Sequence, residues 1–152
     1  MSSLKDRLNA DLTVAMKARD ELVTATLRMA LTAVRMEEVA GKTARSLSDQ
    51  EVLAVLTREA KKRREAAEAF MAGGRAELAE RERAEGVVLD RYLPAQLGDE
   101  DLADVVRKAL AETGVTDVKQ LGKAMKAAQA EVAGRAEGGR VAAEVRRQIT
   151  AS

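Results

Sequence analysis

Apolar residues recur at three- and four-residue spacing along almost the whole chain, and a single proline, Pro94, interrupts them. That period is the signature of amphipathic helices, with one face of each segment reserved for a core. The side chains agree with this pattern: thirty of the 152 residues are alanine and aromatics make up only 1%. Alanine is the best helix former, and strands favour β-branched and aromatic residues. An apolar content of 46% also argues against disorder. The sequence predicts an all-α, multihelical soluble protein.

Seven helices can be placed. The first spans about residues 3–18, with Leu4, Leu8, Leu12, Ala15 and Met16 as its apolar stripe. Asp20 caps a second over about 21–40, with Val23, Leu27, Ala30, Leu31 and Val34 inward. Ser48 and Glu51 form an S-x-x-E capping box for a third, with Leu47 and Val52 as its hydrophobic staple. Its stripe is Val52, Leu56, Ala60, Arg63, Ala67, Phe70 and Met71, and Gly73-Gly74 ends it. A fourth covers about 75–92, with Leu78, Leu89 and Tyr92 on one side and Glu82 and Glu85 oddly placed between them. Proline disfavours helical geometry in the residue before it, so this helix stops near Leu93.

The proline divides the chain into a four-helix subdomain (1–93), a linker (94–98) and a three-helix subdomain (99–152). In the last of these, Leu102, Val105, Val106, Ala109 and Leu110 line the fifth helix, over about 99–112. Val118, Leu121, Met125, Ala128 and Val132 line the sixth, which starts at an Asp117-x-x-Gln120 cap. Val141, Val145 and Ile149 line the seventh, after the glycine-rich turn 134–139.

Several function classes are excluded. The chain has no cysteine and no histidine. Disulfides, thiolate nucleophiles, imidazole acid–base chemistry and the usual zinc ligand sets are therefore out of reach. No cofactor is implied. No apolar run is long enough to span a membrane. The first residues carry Asp6 and Asp11 and lack an apolar stretch, so they do not read as a signal peptide. The expected location is the cytoplasm.

Net charge is +1, which by itself makes no case for nucleic acid. The distribution says more. Residues 94–117 carry a balance of −4 and residues 118–152 a balance of +4. Lys119, Lys123 and Lys126 follow i, i+4, i+7, so one helix would carry them on one face. Arg140 and Arg147 are spaced likewise on the last helix. Such a stripe can neutralise phosphates; the competing reading is an ordinary solvated face. In the turn before the last helix, Gly134, Gly138 and Gly139 could converge backbone amides on an anion, with Arg135 as a clamp. The competing reading there is a tight turn that needs glycine for its geometry.

The run Lys61-Lys62-Arg63-Arg64, with Arg58, circles its helix and cannot form one patch. Arg63 falls inside the apolar stripe, where Glu82 or Glu85 can pair with it. The alternative, a catalytic carboxylate pair, lacks a pocket-forming aromatic or loop, and no catalytic residue is assigned. Tyr92, beside Pro94, reads as an anchor docking the linker between the two halves; base stacking is its alternative role.

The chain resembles the YqeY-like family, whose C-terminal half is related to the tail domain of the B subunit of the tRNA-dependent amidotransferase. The N-terminal likeness lies in Leu8, Asp11-Leu12, Ala15-Met16-Lys17, Asp20, Leu27-Arg28-Met29 and Glu37. The middle matches through Glu51, Arg58, Lys61, Arg63-Arg64-Glu65, Phe70, Gly74-Arg75, Leu78, Glu82 and Glu85. Tyr92-Leu93-Pro94-x-Gln96-Leu97 is the most specific piece. Gly122-Lys123-x-Met125 and Gly134-Arg135-Ala136-Glu137-Gly138 complete the likeness. Gly98 stands where a Ser or Thr cap is expected, Glu137 where aspartate is usual, and Lys126 where a small residue is common.

The resemblance implies a two-part helical fold whose second part is similar to a tRNA-grasping module. The catalytic parts of that enzyme are not represented. The expected function is thus a non-catalytic module that binds tRNA through its C-terminal subdomain. The alternatives are an accessory role, in trans, in glutamine-dependent amide transfer on tRNA, and a protein–protein scaffold around Tyr92 and Pro94. The chain has no G-x-x-x-x-G-K-[ST] nucleotide loop and no cysteine nucleophile, so independent catalysis is not expected.

Overall fold

Local capping signals set the helix starts. In a computed structural model describing residues 3–151, seven α-helices and one short 3-10 turn account for the regular structure, and no strand occurs among the described residues. The protein is all-α. Helix α1 is Leu4–Ala18, α2 Glu21–Glu38, α3 Asp49–Ala72, α4 Ala76–Asp90, α5 Asp99–Thr113, α6 Leu121–Val132 and α7 Gly138–Ala151.

Ser3 and Asp6 form a capping box on α1, and Asp49 Oδ1 accepts the Leu4 amide at 3.0 Å. Asp20 accepts the Val23 amide to open α2. Ser48 and Glu51 form the reciprocal capping box on α3, at 3.2 Å in each direction. Each such bond satisfies an amide that a helix leaves without a partner in its first turn. Gly98 begins α5 with no side-chain cap; the acidic first turn Asp99-Glu100-Asp101 sits at the positive end of the helix dipole instead.

The chain divides into two compact units, Met1–Leu93 and Pro94–Ser152. In the first, α1 to α4 each contribute one fully buried leucine: Leu8, Leu27, Leu56 and Leu89. Burying such a side chain stabilises by roughly 1.5–3 kcal/mol before entropy is counted. The α3–α4 hairpin turns at Gly74, whose φ of 75° suits glycine. The second unit is packed with smaller side chains: Val106, Ala124, Ala128, Val132, Val141 and Val145 are all fully buried. Among the described residues, no helix is long and apolar enough to cross a membrane.

Four residues read as inward-facing are exposed: Met16 at 49%, Met71 at 48%, Leu78 at 43% and Val118 at 55%. Ala15 takes the buried position beside Met16. The buried positions of α3 stop at Ala67 and those of α4 begin at Ala79, so Met71 and Leu78 lie past the end of the core. Val118 lies in a 3-10 turn, Val118–Gln120, whose tighter winding shifts it out of phase with α6. The sixth helix thus begins at Leu121, after the expected cap, and Ala124 joins its buried face.

Candidate nucleic-acid interface

The six basic residues singled out in the second unit fall into two groups. Lys119, Lys123 and Lys126 are exposed, and none makes an ion pair among the described residues. Lys123 and Lys126 lie on α6, with Ala124, Ala128 and Val132 holding the opposite side in the core. Lys119 sits in the preceding 3-10 turn, where Asp117 Oδ1 accepts its backbone amide. The lysine side chains stand in water because the helix buries other positions, and neighbouring carboxylates do not neutralise them.

The three arginines are engaged inside the unit. Arg135 donates from Nε to the Val132 carbonyl at 2.9 Å and from Nη2 to the Glu131 carbonyl at 2.7 Å. It therefore serves the last carbonyls of α6, where a cation also suits the helix dipole. Arg140 reaches Asp99 at 3.0 Å, tying α7 to the start of α5. Arg147 pairs with Glu144 one turn earlier, at 2.5 Å. The guanidinium of Arg147 lowers the Glu144 carboxyl below its ordinary value, and Glu144 raises Arg147 in return. The second unit carries nine basic and nine acidic side chains, so it has no excess charge of its own. Pairing leaves the three lysines uncompensated among the described residues, as it does the exposed Lys108 and Arg146.

The turn of residues 134–137 offers acceptors to its neighbours. The Leu97 amide donates to the Arg135 carbonyl at 2.7 Å, and Gln96 Nε2 donates to the Gly134 carbonyl at 3.3 Å. Gly134 has a φ of 81°, a conformation that suits glycine. At Gly139 an added Cβ would come within 3.3 Å of Glu137 Oε1, and at Gly138 within 3.7 Å of Gln129 Nε2. Gln96 and Leu97, read from sequence as part of a linker, thus clasp this turn. Leu97, the one large aliphatic side chain of that linker, was the available signal.

In the first unit, Arg63 is buried among carboxylates. Its Nε lies 3.2 Å from Glu85 and 3.7 Å from Glu82, and its Nη2 lies 3.5 Å from Glu59. Nη2 also contacts Met29 Sδ. Lys62 extends the network to Glu59, and Arg81 links Glu85 to Glu21. Glu82 and Glu85 are thus committed to a cation rather than facing an open pocket. No group of three or more acidic residues among those described is arranged to hold a metal ion.

Tyr92 is also held within the first unit. Its hydroxyl donates to Asp11 Oδ2 at 2.5 Å, and the Arg7 guanidinium lies 5.4 Å from the ring centroid. Burial raises the phenol well above its ordinary value, and the bond to the Asp11 carboxylate adds to the shift. Tyr92 therefore anchors the end of α4 on α1, and a guanidinium covers one face of its ring. Pro94 follows two residues later, and its carbonyl accepts from Gln96 Nε2 at 3.0 Å.

The model of a family described as Yqey-like protein matches residues 5–149, almost the full length. A comparison with curated proteins finds no match.

Proposed function

The chain belongs to the YqeY-like family, and from that premise we propose that it is a non-catalytic cytoplasmic module that binds tRNA through its second unit. The observation that carries this reading is the exposed, unpaired set Lys119, Lys123 and Lys126. Lysines exposed on α6 and on the turn before it gain affinity by releasing counterions from phosphates. The likeness of this half to an amidotransferase tail domain supports tRNA as the polyanion. The absence of histidine and cysteine from the chain supports a binding role over a chemical one.

Titration of labelled tRNA at two or more salt concentrations tests this. With three lysines engaged, the logarithm of affinity should fall with the logarithm of salt at a slope of about −2 to −3. The variant Lys119→Glu/Lys123→Glu/Lys126→Glu should bind weakly and show a flatter slope. Affinity that responds neither to salt nor to these substitutions overturns the reading.

A further inference from the structure

The feature of RNA that this surface fits follows from what stands beside the lysines. Lys123, Lys126 and Gln129 recur at i, i+3, i+6 on α6, and all three are exposed. Side chains three apart on a helix have Cβ atoms about 5–6 Å apart, held by the backbone. The surface thus carries two cations on flexible stems and an amide that both donates and accepts hydrogen bonds.

No aromatic side chain lies anywhere in the second unit. The only phenylalanine and the only tyrosine are Phe70 and Tyr92, both in the first. Surfaces that hold unpaired nucleotides stack bases on aromatic rings, at roughly 5- to 150-fold in affinity per base. Without a ring, a single strand loses conformational freedom on binding with no stacking to offset the loss. A duplex already holds its phosphates in place. A-form RNA also presents its 2′-hydroxyls along a wide, shallow minor groove, where a glutamine amide can meet them.

We infer that the α6 surface recognises the paired, A-form stems of RNA through phosphates and 2′-hydroxyls, and not unpaired loops or ends. This rests on the RNA-binding reading above and sharpens it. Bases are not read, so affinity follows the presence of a stem and not its sequence.

Fluorescence anisotropy with three probes of equal strand length tests the inference on the full chain: an RNA hairpin stem, an unpaired RNA and the DNA duplex of the hairpin's sequence. The hairpin should bind at least tenfold more tightly than the unpaired RNA at equal salt, and more tightly than the DNA. Lys123→Glu/Lys126→Glu should remove that advantage, with circular dichroism showing the helices intact. Gln129→Ala should narrow the gap between RNA and DNA duplexes. Unpaired RNA bound as tightly as the stem, or DNA duplex bound as tightly as RNA, with the lysines still required, overturns the inference and leaves the RNA-binding reading standing. Failure of every RNA to bind in a lysine-dependent way overturns both.

Discussion

The Tyr92 hydroxyl donates to the Asp11 carboxylate across 2.5 Å, joining the end of the fourth helix to the middle of the first. Burial and this bond both favour the neutral phenol, so its folded-state pKa lies above the unfolded one. The associated stability is therefore fully present below the unfolded value of about 10 and is lost as pH rises through the folded value. Tyr92 is the only tyrosine and the chain has no tryptophan, so the phenolate absorbance band reports this one group. Its ionisation should lag behind that of free tyrosine until the protein unfolds in alkali. Asp11→Asn should bring the onset back toward the ordinary range. A normal titration in the unmodified protein would contradict the bond.

Arg63 leads to a stability prediction. Removing one member of a buried ion pair costs about 3–5 kcal/mol, because the remaining charges lose their compensation. Arg63→Ala leaves Glu59, Glu82 and Glu85 facing each other without it, and urea unfolding should show a loss of that order. Arg63→Met with Glu82→Gln and Glu85→Gln should recover much of it, since uncharged groups carry a smaller desolvation penalty. Loss of stability in both variants alike would mean that packing, not charge, dominates at this position.

Features carried by neighbouring residues were legible in the sequence. Ser48 and Glu51 lie three apart and act on each other directly, so their spacing announced the start of α3. Leu8, Leu27, Leu56 and Leu89 followed from helical period alone. Glu82 and Glu85 stood out because they interrupt an apolar stripe; the structure surrounds Arg63 with both. Contacts that depend on folding could not be read this way. Arg140 meets Asp99 across 41 residues, and Gln96 meets Gly134 across 38. Neither pair has a local pattern. Periodicity identifies which face of a helix carries a cation, but pairing decides whether that charge is left over, and pairing is a property of the tertiary fold.

Glu51 sets part of the acid limb of stability. Its carboxyl is pulled from the ordinary 4.5 down to about 2, first by the Arg45 side chain and then by the Ser48 amide. A carboxyl lowered by folding stabilises fully above its unfolded pKa and loses that contribution as pH falls through the folded one. The window thus runs from about 4.5 down to about 2. Denaturation midpoints measured across that range should fall less steeply for Glu51→Gln than for the unmodified protein. At neutral pH, Ser48→Ala should cost about 1 kcal/mol through the lost cap.

Arg135 separates a structural role from a binding one. Its guanidinium serves two carbonyls at the end of α6, and its own carbonyl accepts the Leu97 amide. Hydrogen bonds involving a charged group contribute about 1.5–3 kcal/mol each in favourable settings, and less where water competes. Arg135→Ala should therefore destabilise the second unit by about 1–3 kcal/mol, read as a lower unfolding midpoint. Its effect on RNA affinity, measured well below that midpoint, should be smaller than that of Lys123→Glu, because the lysine's charge faces water while the arginine's is spent on the backbone. A variant of full stability with sharply weakened RNA binding would instead place Arg135 in the interface.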